Sequence, residues 1–577
     1  MTEGCSTSII VETPFAVIRQ VRRHRQTALI VCVLGTVGCS RPTPPKPTEA
    51  QQARTVNAVF ESAEKYTVRT LDTLELFQFL EEHPEYHNDS ASIIKFYKRR
   101  GGQYAWFLND SLSSAAGTFM NLVTANDSML GNAFGHDALH QLVERISDPL
   151  DTIPLTETFI RHVELSLTAQ FFRFGDRKYS GLIQRDLREL EWFIPRRKKD
   201  LDQLIDSLVA GRMDLSPIEP LHPQYALLKA QLSGLHRLQW MDRLPHLDLG
   251  ERRKLEPGDV DSLVLPLRTR LALLGDLAWS DLAPGAPPFA LDSALERAVR
   301  RFQLRHGLLS DGVVGKGFIE QINIPIAQRI RTLLVNMERL RWVPERPSPN
   351  MLLVNIPEFR LHVIEADTEV WAMDVVVGAQ ATSTLIFSDS LSRIVFSPTW
   401  SVPASIVRNE ILPALRMDPG YLASKNMTIT GGSSTLPRIM QQPGPSNALG
   451  LVKFLFPNTF SIYFHDTPSK GAFAREKRAL SHGCIRLSDP KRLAQYLLRN
   501  DTTWTSEKID EAMHRRTELG VPIRPKLPVV IGYFTAWVDG LGYLHFRDDI
   551  YGHDAKLAGE LFVEVVTDTT SPREELP

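Results

Sequence analysis

Three of the chain's four cysteines, Cys5, Cys32 and Cys39, lie within its first 39 residues. That leaves Cys484 as the only thiol in the body of the protein, so no disulfide framework can hold that body together. Apolar cores must do so instead. With 577 residues the chain is too long for one core, which predicts several domains. Hydrophobic residues at 43% and charged residues at 23% suit a soluble globular protein. A formal net charge of −1 speaks against a general nucleic-acid binder.

The N-terminus carries an export pattern. Arg19, Arg22, Arg23 and Arg25 precede the apolar run Thr27–Val37. The run is too short for a comfortable membrane span and suits the core of a signal peptide. It ends in Thr36-Val37-Gly38-Cys39, which resembles a bacterial lipobox with Thr36 in place of the usual leucine. The resemblance implies a lipidated Cys39 as the mature N-terminus. Ser40 then fits sorting to the outer membrane, placing the protein in the periplasm of a Gram-negative-type bacterium. An uncleaved anchor or an ordinary signal peptide is the alternative. Residues 40–53 read as a proline-rich tether.

The body divides by pattern into a multidomain α+β chain. Residues 54–256 are expected to form a helical scaffold, with helices over Val68–Leu80, Ile93–Arg100, Leu155–Phe174 and Leu187–Leu208. His136, His140 and His162 show no metal-ligand spacing there and read as packing residues. Residues 257–325 form a small unit with helices over Ser262–Leu274 and Leu291–His306. Its text RFQLRHGLLSDGVVG resembles the three-helix peptidoglycan-binding module. Residues 326–350 supply a linking helix, Ile326–Trp342. From Met351 the pattern turns to strands: MLLVNI, RLHVIEA, EVWAMDVVVG, Ser392–Phe396 and Ser461–Phe464. This β-rich domain, 351–525, is interrupted at about 415–450 by a Gly-, Pro-, Ser- and Asn-rich stretch too long for a simple connection, which suggests a lid. A helix is expected over Asp489–Asn500. Residues 526–577 add two strands joined at Asp539-Gly540, then a tail.

Two stretches of that domain carry chemistry: Tyr463-Phe-His-Asp-Thr-Pro468 and Ser481-His-Gly-Cys-Ile-Arg486. A thiol becomes a good nucleophile only as the thiolate, and an imidazole beside it can take the proton. Gly483 lets backbone N–H groups approach a reacting carbonyl and stabilise an oxyanion. The helix beginning soon after Cys484 would lower the thiol pKa if its N-terminus points that way.

The pattern of a histidine, a spacer (residues 466–480 here), then Ser-His-Gly-Cys-x-Arg resembles the signature of YkuD-type L,D-transpeptidases. Phe396–Pro403, Gln441–Gly450, Lys453-Phe454 and Tyr463–Pro468 are similar to the large YcbB-like branch, which has a scaffold and a peptidoglycan-binding-like domain. The resemblance implies Cys484 as nucleophile and His465 as general base, with His482 and Gly483 shaping the turn and the oxyanion hole. It implies substrate contacts from Ser481, Arg486, Tyr463 and Trp400, and lid contacts from Asn447 and Arg438. It implies peptidoglycan stem peptides as donor and acceptor, no cofactor, acylation of Cys484 by carbapenem-type β-lactams, and a glycan-polymerising synthase as a partner.

Other readings stay open at this point. Zinc could use His465, His482 and Cys484, but the ligand set is incomplete and no metal is expected. With water as acceptor the protein would be an L,D-carboxypeptidase. Attachment of a lipoprotein to the wall would be another acceptor variant. A non-catalytic peptidoglycan-binding envelope protein would use the scaffold and small module alone.

Overall fold

The computed structural model describes residues 69–562, apart from 109–110, 131–136, 148–154, 184–185, 198, 212–221, 240–243, 283–288 and 345–346. The export segment, Cys39 and the tether lie outside the described residues. The described residues belong to one compact unit, with a helical N-terminal region and a β-rich C-terminal domain.

The helical region is organised around the helix Glu157–Ser180, which is buried on nearly every side from Ile160 onward. Thr156 caps it, its hydroxyl accepting from the Phe159 N–H at 3.2 Å. The helices Thr73–Glu82, Ser90–Arg99, Ser114–Leu130 and Asp202–Val209 pack their apolar faces against this axis. A buried charge within the core is tolerated because it is satisfied. The Glu164 carboxylate accepts from the Ala105 and Trp106 N–H groups at 2.6 and 3.0 Å and from the Tyr97 hydroxyl at 2.9 Å. Burial still pushes its pKa up to about 7.

The helix expected over Leu187–Leu208 does not form. A single 3-10 turn, Leu187–Leu190, ends at Glu191 with φ 57°, and helix resumes only at Asp202. Pro195 explains the break: it cannot donate to a helical ladder and disfavours helix in the residue before it. The freed segment instead docks on the β domain. Trp192 bridges to Ile386, Phe193 N–H donates to the Ile386 carbonyl at 2.7 Å, and the Trp192 ring meets Trp342 edge to face at 5.2 Å.

The small module closes its own core with the helices Val264–Leu273, Ser293–Arg305 and Lys316–Ile322. It is pinned to the C-terminal segment. Arg305 Nη1 donates to the Leu544 carbonyl at 2.5 Å, and Arg547 Nη1 donates back to the Arg305 carbonyl at 2.9 Å.

The β domain is a nine-stranded sheet. Its strands are β1 Met351–Asn355, β2 Arg360–Glu365, β3 Thr368–Gly378, β4 Phe387–Phe396, β5 Val452–Leu455, β6 Phe464–His465, β7 Ala479–Ser481, β8 Ile485–Leu487 and β9 Leu519–Gly532. Their order is β7-β3-β8-β6-β5-β4-β9-β1-β2, and β2 pairs again with β3, so the sheet closes on itself. The long strand β9 hides in the sequence behind Pro522, Pro525 and Pro528. The sheet accepts them because its pairing with β4 shifts register between Pro522 and Leu527. The lid begins earlier than its composition suggests. Trp400–Ser401 pairs with Pro437–Gln441, which pairs with Met427–Gly432, and Val402, Val407, Ile411, Met427 and Ile439 form a separate small core. After β9 come the hairpin Ala536–Val538 and Leu544–Phe546 and the helix His553–Leu561.

One ion cluster in the sheet sets a pH dependence. His362 on β2 lies 2.9 Å from Glu358 and 2.7 Å from Glu369. The two carboxylates outweigh burial and raise its pKa to about 9. A histidine held above its unfolded value stabilises the fold fully below about pH 6.5 and loses that contribution as pH rises through about 9. The urea midpoint of the wild type should therefore fall between pH 6.5 and 9.5, by at most about 3 kcal/mol in unfolding free energy. His362→Gln should flatten that slope. Equal slopes in the two proteins would refute the assignment.

Candidate active site

Sheet pairing brings the two chemical stretches together. β6 ends on His465 and runs parallel to β8, with Phe464 opposite Ile485 and His465 opposite Arg486. Cys484 immediately precedes β8, and the Ile485 N–H donates to the Tyr463 carbonyl at 3.2 Å. His465 is thus fixed at a strand end, and Cys484 in the turn that leads directly into the neighbouring strand.

His465 is buried, and its Nδ1 hydrogen-bonds the carbonyl of the next residue, Asp466. That bond assigns the proton to Nδ1 and leaves Nε2 as the basic nitrogen. Burial, helped by the Arg486 guanidinium, brings its pKa down to about 4. The Asp466 side chain plays a different part. One oxygen accepts from the Leu451 N–H at 2.9 Å and the other from Lys470 Nζ at 2.7 Å, which ties the residue after the base to the end of the lid.

Cys484 is half-buried, with Sγ 3.6 Å from the Ser461 carbonyl. Burial pushes the thiol pKa up, against smaller opposing effects from Tyr463 and Arg486. The lowering expected from the following helix does not appear. That helix, Pro490–Leu498, starts only after β8 has carried the chain onward, and its N-terminal Arg492 N–H is already met by the Asp489 cap. With the thiol raised and the imidazole lowered, both groups are neutral at neutral pH.

The turn itself is latched from within. Ser481 Oγ donates to the Cys484 carbonyl at 2.6 Å and accepts from the Gly483 N–H at 3.2 Å. Gly483 has φ 109°, a conformation natural only to glycine. Arg486 leans over the site with Nε buried and without a hydrogen-bond partner among the described residues. Tyr463 is half-buried, and its ring lies 5.8 Å from that of His465.

The remaining sequence-derived residues fall elsewhere. His482 is exposed and reaches the lid, with Nε2 3.3 Å from Glu410 Oε1, so its side chain does not build the turn. It is also separated in environment from buried His465, and among the described residues no group of three or more His, Cys, Asp or Glu side chains could hold a metal ion. Trp400 is half-buried against the lid core. Arg438 is exposed on a lid strand opposite Gly431. Asn447 is buried at 1% exposure; its amide donates to the Pro398 and Gln442 carbonyls at 3.1 and 2.9 Å, and its oxygen accepts from the Leu449 N–H. Asn447 therefore helps to shape the end of the lid.

Three residues absent from the sequence reading support the site from behind. Thr384, Tyr551 and Glu191 come from the loop after β3, the C-terminal segment and the scaffold, and all touch the backing of the turn. Nothing in their local sequence marks them, because the fold alone brings them there.

Neighbouring strands thus bring a buried imidazole, a thiol and a glycine turn to one place. Residues 349–531 match the model of the L,D-transpeptidase catalytic domain. Residues 91–232 match a scaffold domain, and residues 261–322 match a "Putative peptidoglycan binding domain". The stretch 349–531 is thus similar to the YkuD family of L,D-transpeptidase catalytic domains. A Haemophilus influenzae protein named "Putative L,D-transpeptidase" is 31% identical over 240 residues, 39% of this chain and 48% of that protein. The chain thus matches about half the length of that relative. Among solved structures, an L,D-transpeptidase from Mycobacterium smegmatis is 13% identical, covering 32% of this chain and 58% of its own, with a TM-score of 0.18. L,D-transpeptidase 3 from Mycobacterium tuberculosis is 14% identical, covering 32% and 61%, with a TM-score of 0.17.

Proposed function

We propose that the protein is a peptidoglycan L,D-transpeptidase that forms 3→3 cross-links through a thioester on Cys484. The single observation that carries this is the His465–Cys484 arrangement: a buried imidazole kept neutral, its Nδ1 fixed by the Asp466 carbonyl, on the strand beside the turn that holds the thiol.

The reaction has two halves. Sγ attacks the carbonyl of the diaminopimelate L-centre in a tetrapeptide stem, and His465 Nε2 takes the thiol proton. The tetrahedral intermediate collapses, the C–N bond to D-alanine breaks, and the imidazolium returns the proton to the departing amine. A side-chain amine of diaminopimelate on a second stem then attacks the thioester. His465 accepts its proton and returns it to the leaving thiolate, so the enzyme is regenerated and ping-pong kinetics follow.

Tyr463, Arg486 and the lid residues Trp400 and Arg438 are proposed to contact the stems, with Ser481 and Gly483 holding the turn. The small module suits attachment to the wall, and a glycan-polymerising synthase would supply fresh strands. Export and lipid anchoring at Cys39 would place the site in the periplasm. Carbapenem-type β-lactams, as acyl-donor mimics, are expected to acylate Cys484.

The test is the intact mass of the full-length protein incubated with a tetrapeptide muropeptide, with chromatography of the products. Expected are an acyl adduct on Cys484, released D-alanine and a 3→3 dimer. D-alanine with tripeptide alone would make the protein an L,D-carboxypeptidase. Neither adduct nor D-alanine would overturn the catalytic reading in favour of a binding protein.

A further inference from the structure

Behind the nucleophile turn, parts of the chain that lie far apart in sequence meet at one peptide group. The loop leaving β3 passes under the turn. The Ala379 N–H and the Thr382 hydroxyl donate to the Ser481 carbonyl at 2.8 and 3.0 Å, and the Thr384 hydroxyl donates to the Gly483 carbonyl at 2.8 Å. The same Thr384 hydroxyl accepts from the Gly378 N–H at 2.9 Å. Tyr551, beyond the stretch matched to the catalytic-domain family, then closes the arrangement. Its phenol oxygen accepts from the Thr384 backbone N–H at 3.2 Å, and its O–H donates to the Gly378 carbonyl at 2.6 Å. Thr384 is fully buried and Tyr551 nearly so. The loop fits only because residue 378 is glycine: a Cβ there would sit 2.1 Å from the Thr382 carbonyl oxygen. From the scaffold side, Glu191 accepts the Ser383 hydroxyl at 2.6 Å and steadies the same loop.

We propose that Thr384 and Tyr551 are positioning residues that aim the backbone N–H of Cys484 at the oxyanion formed when its thiol attacks a carbonyl. The inference rests on the reading of Cys484 as the nucleophile. The Gly483 carbonyl and the Cys484 N–H belong to one planar trans peptide and point in opposite directions, so fixing the carbonyl fixes the N–H. Among the described residues nothing accepts from that N–H, which leaves it available to a substrate. Gly483 itself offers little resistance to rotation of the plane, since glycine tolerates a wide range of backbone angles. A hydrogen bond from outside the turn is therefore what selects one orientation. Preorganised donors of this kind act where charge develops during reaction, and a donor turned away by part of a bond length loses most of its effect.

A merely structural role would loosen the turn and alter every reaction of the thiol. An orienting role alters only reactions that pass through an oxyanion. Acylation by a peptide carbonyl develops one; alkylation by iodoacetamide, which displaces iodide at carbon, does not. The experiment compares full-length wild type with Thr384→Val, Tyr551→Phe and Thr384→Ser. It measures kcat and KM with a tetrapeptide donor, the iodoacetamide alkylation rate of Cys484, and the melting temperature. Thr384→Val should lose about tenfold to hundredfold in kcat with KM nearly constant. Tyr551→Phe should lose about three- to tenfold, because it acts one bond further away. Thr384→Ser should recover most of the rate, and alkylation should stay close to wild type in all three. Wild-type kcat in Thr384→Val, or acylation and alkylation falling together, would overturn the proposal. A wild type that never acylates while still alkylating would instead refute the nucleophile reading beneath it.

Discussion

Cys484→Ala is expected to abolish D-alanine release and cross-linking, a loss of at least about a thousandfold, while leaving the fold in place. The expectation has a structural basis on both sides. The thiol is the only one in the body of the protein, so no neighbouring cysteine can replace it. Its removal costs little, because Sγ makes only a weak contact to the Ser461 carbonyl. The groups that shape the turn, the Ser481 hydroxyl and the Thr384 hydroxyl, bind backbone atoms that alanine retains. Intact mass should show no adduct, and the melting temperature should match the wild type. Residual D-alanine release within tenfold of wild type would remove Cys484 from the mechanism. A collapse of the melting temperature would show that the thiol is a packing group instead.

The parts of this site that were legible in the sequence are those whose chemistry is local. Ser481-His-Gly-Cys and the preceding His465 announce themselves through residue type and spacing, and the alternation in Arg360–Glu365 and Thr368–Gly378 marks strands that the sheet contains. Two helices were also visible: the pattern over Leu291–His306 marks the helix Ser293–Arg305, and that over Leu155–Phe174 marks most of Glu157–Ser180. What stayed hidden was set by distant partners. Pro522, Pro525 and Pro528 disguise β9, which is tolerated only because the sheet slips register beside them. Leu187–Leu208 carries a helical pattern, yet tertiary pairing of Trp192 with Ile386 and the presence of Pro195 override it. The resemblance implies Asn447 as a lid contact, but not the three bonds it makes to its own turn and Pro398. His482 belongs to the motif, and the contact its exposed side chain makes with Glu410 of the lid could not be read from the motif. Thr384 and Tyr551 could not be found from sequence at all, since 167 positions separate them and only the closed sheet with its C-terminal helix brings them into contact.

His465→Gln should produce the second largest effect and, through its pH dependence, reveal how the pair works. Wild-type kcat/KM for acylation should be level from about pH 5.5 to neutrality and fall below about pH 4–5. The sign follows from the environment. Burial disfavours imidazolium and brings the pKa down to about 4, so the base is neutral and ready above that value and is lost only when acid protonates it. The thiol, pushed up by burial, stays protonated across the same range, so the rate does not depend on a standing thiolate. Glutamine keeps a similar shape and can still donate to the Asp466 carbonyl, but it cannot accept the thiol proton. Loss of a positioned base costs about 10²- to 10⁴-fold at neutral pH. What rate remains must then come from the small fraction of thiolate that solvent supplies, so it should climb about tenfold for each pH unit toward the raised thiol pKa. The level profile of the wild type would become a slope, and the acid limb near pH 4 would vanish. A variant that kept both the plateau and the acid limb would assign the proton to another group. A variant whose loss was erased by raising the pH by several units would confine the role of His465 to removing the thiol proton, with the turn behind Cys484 still carrying the oxyanion.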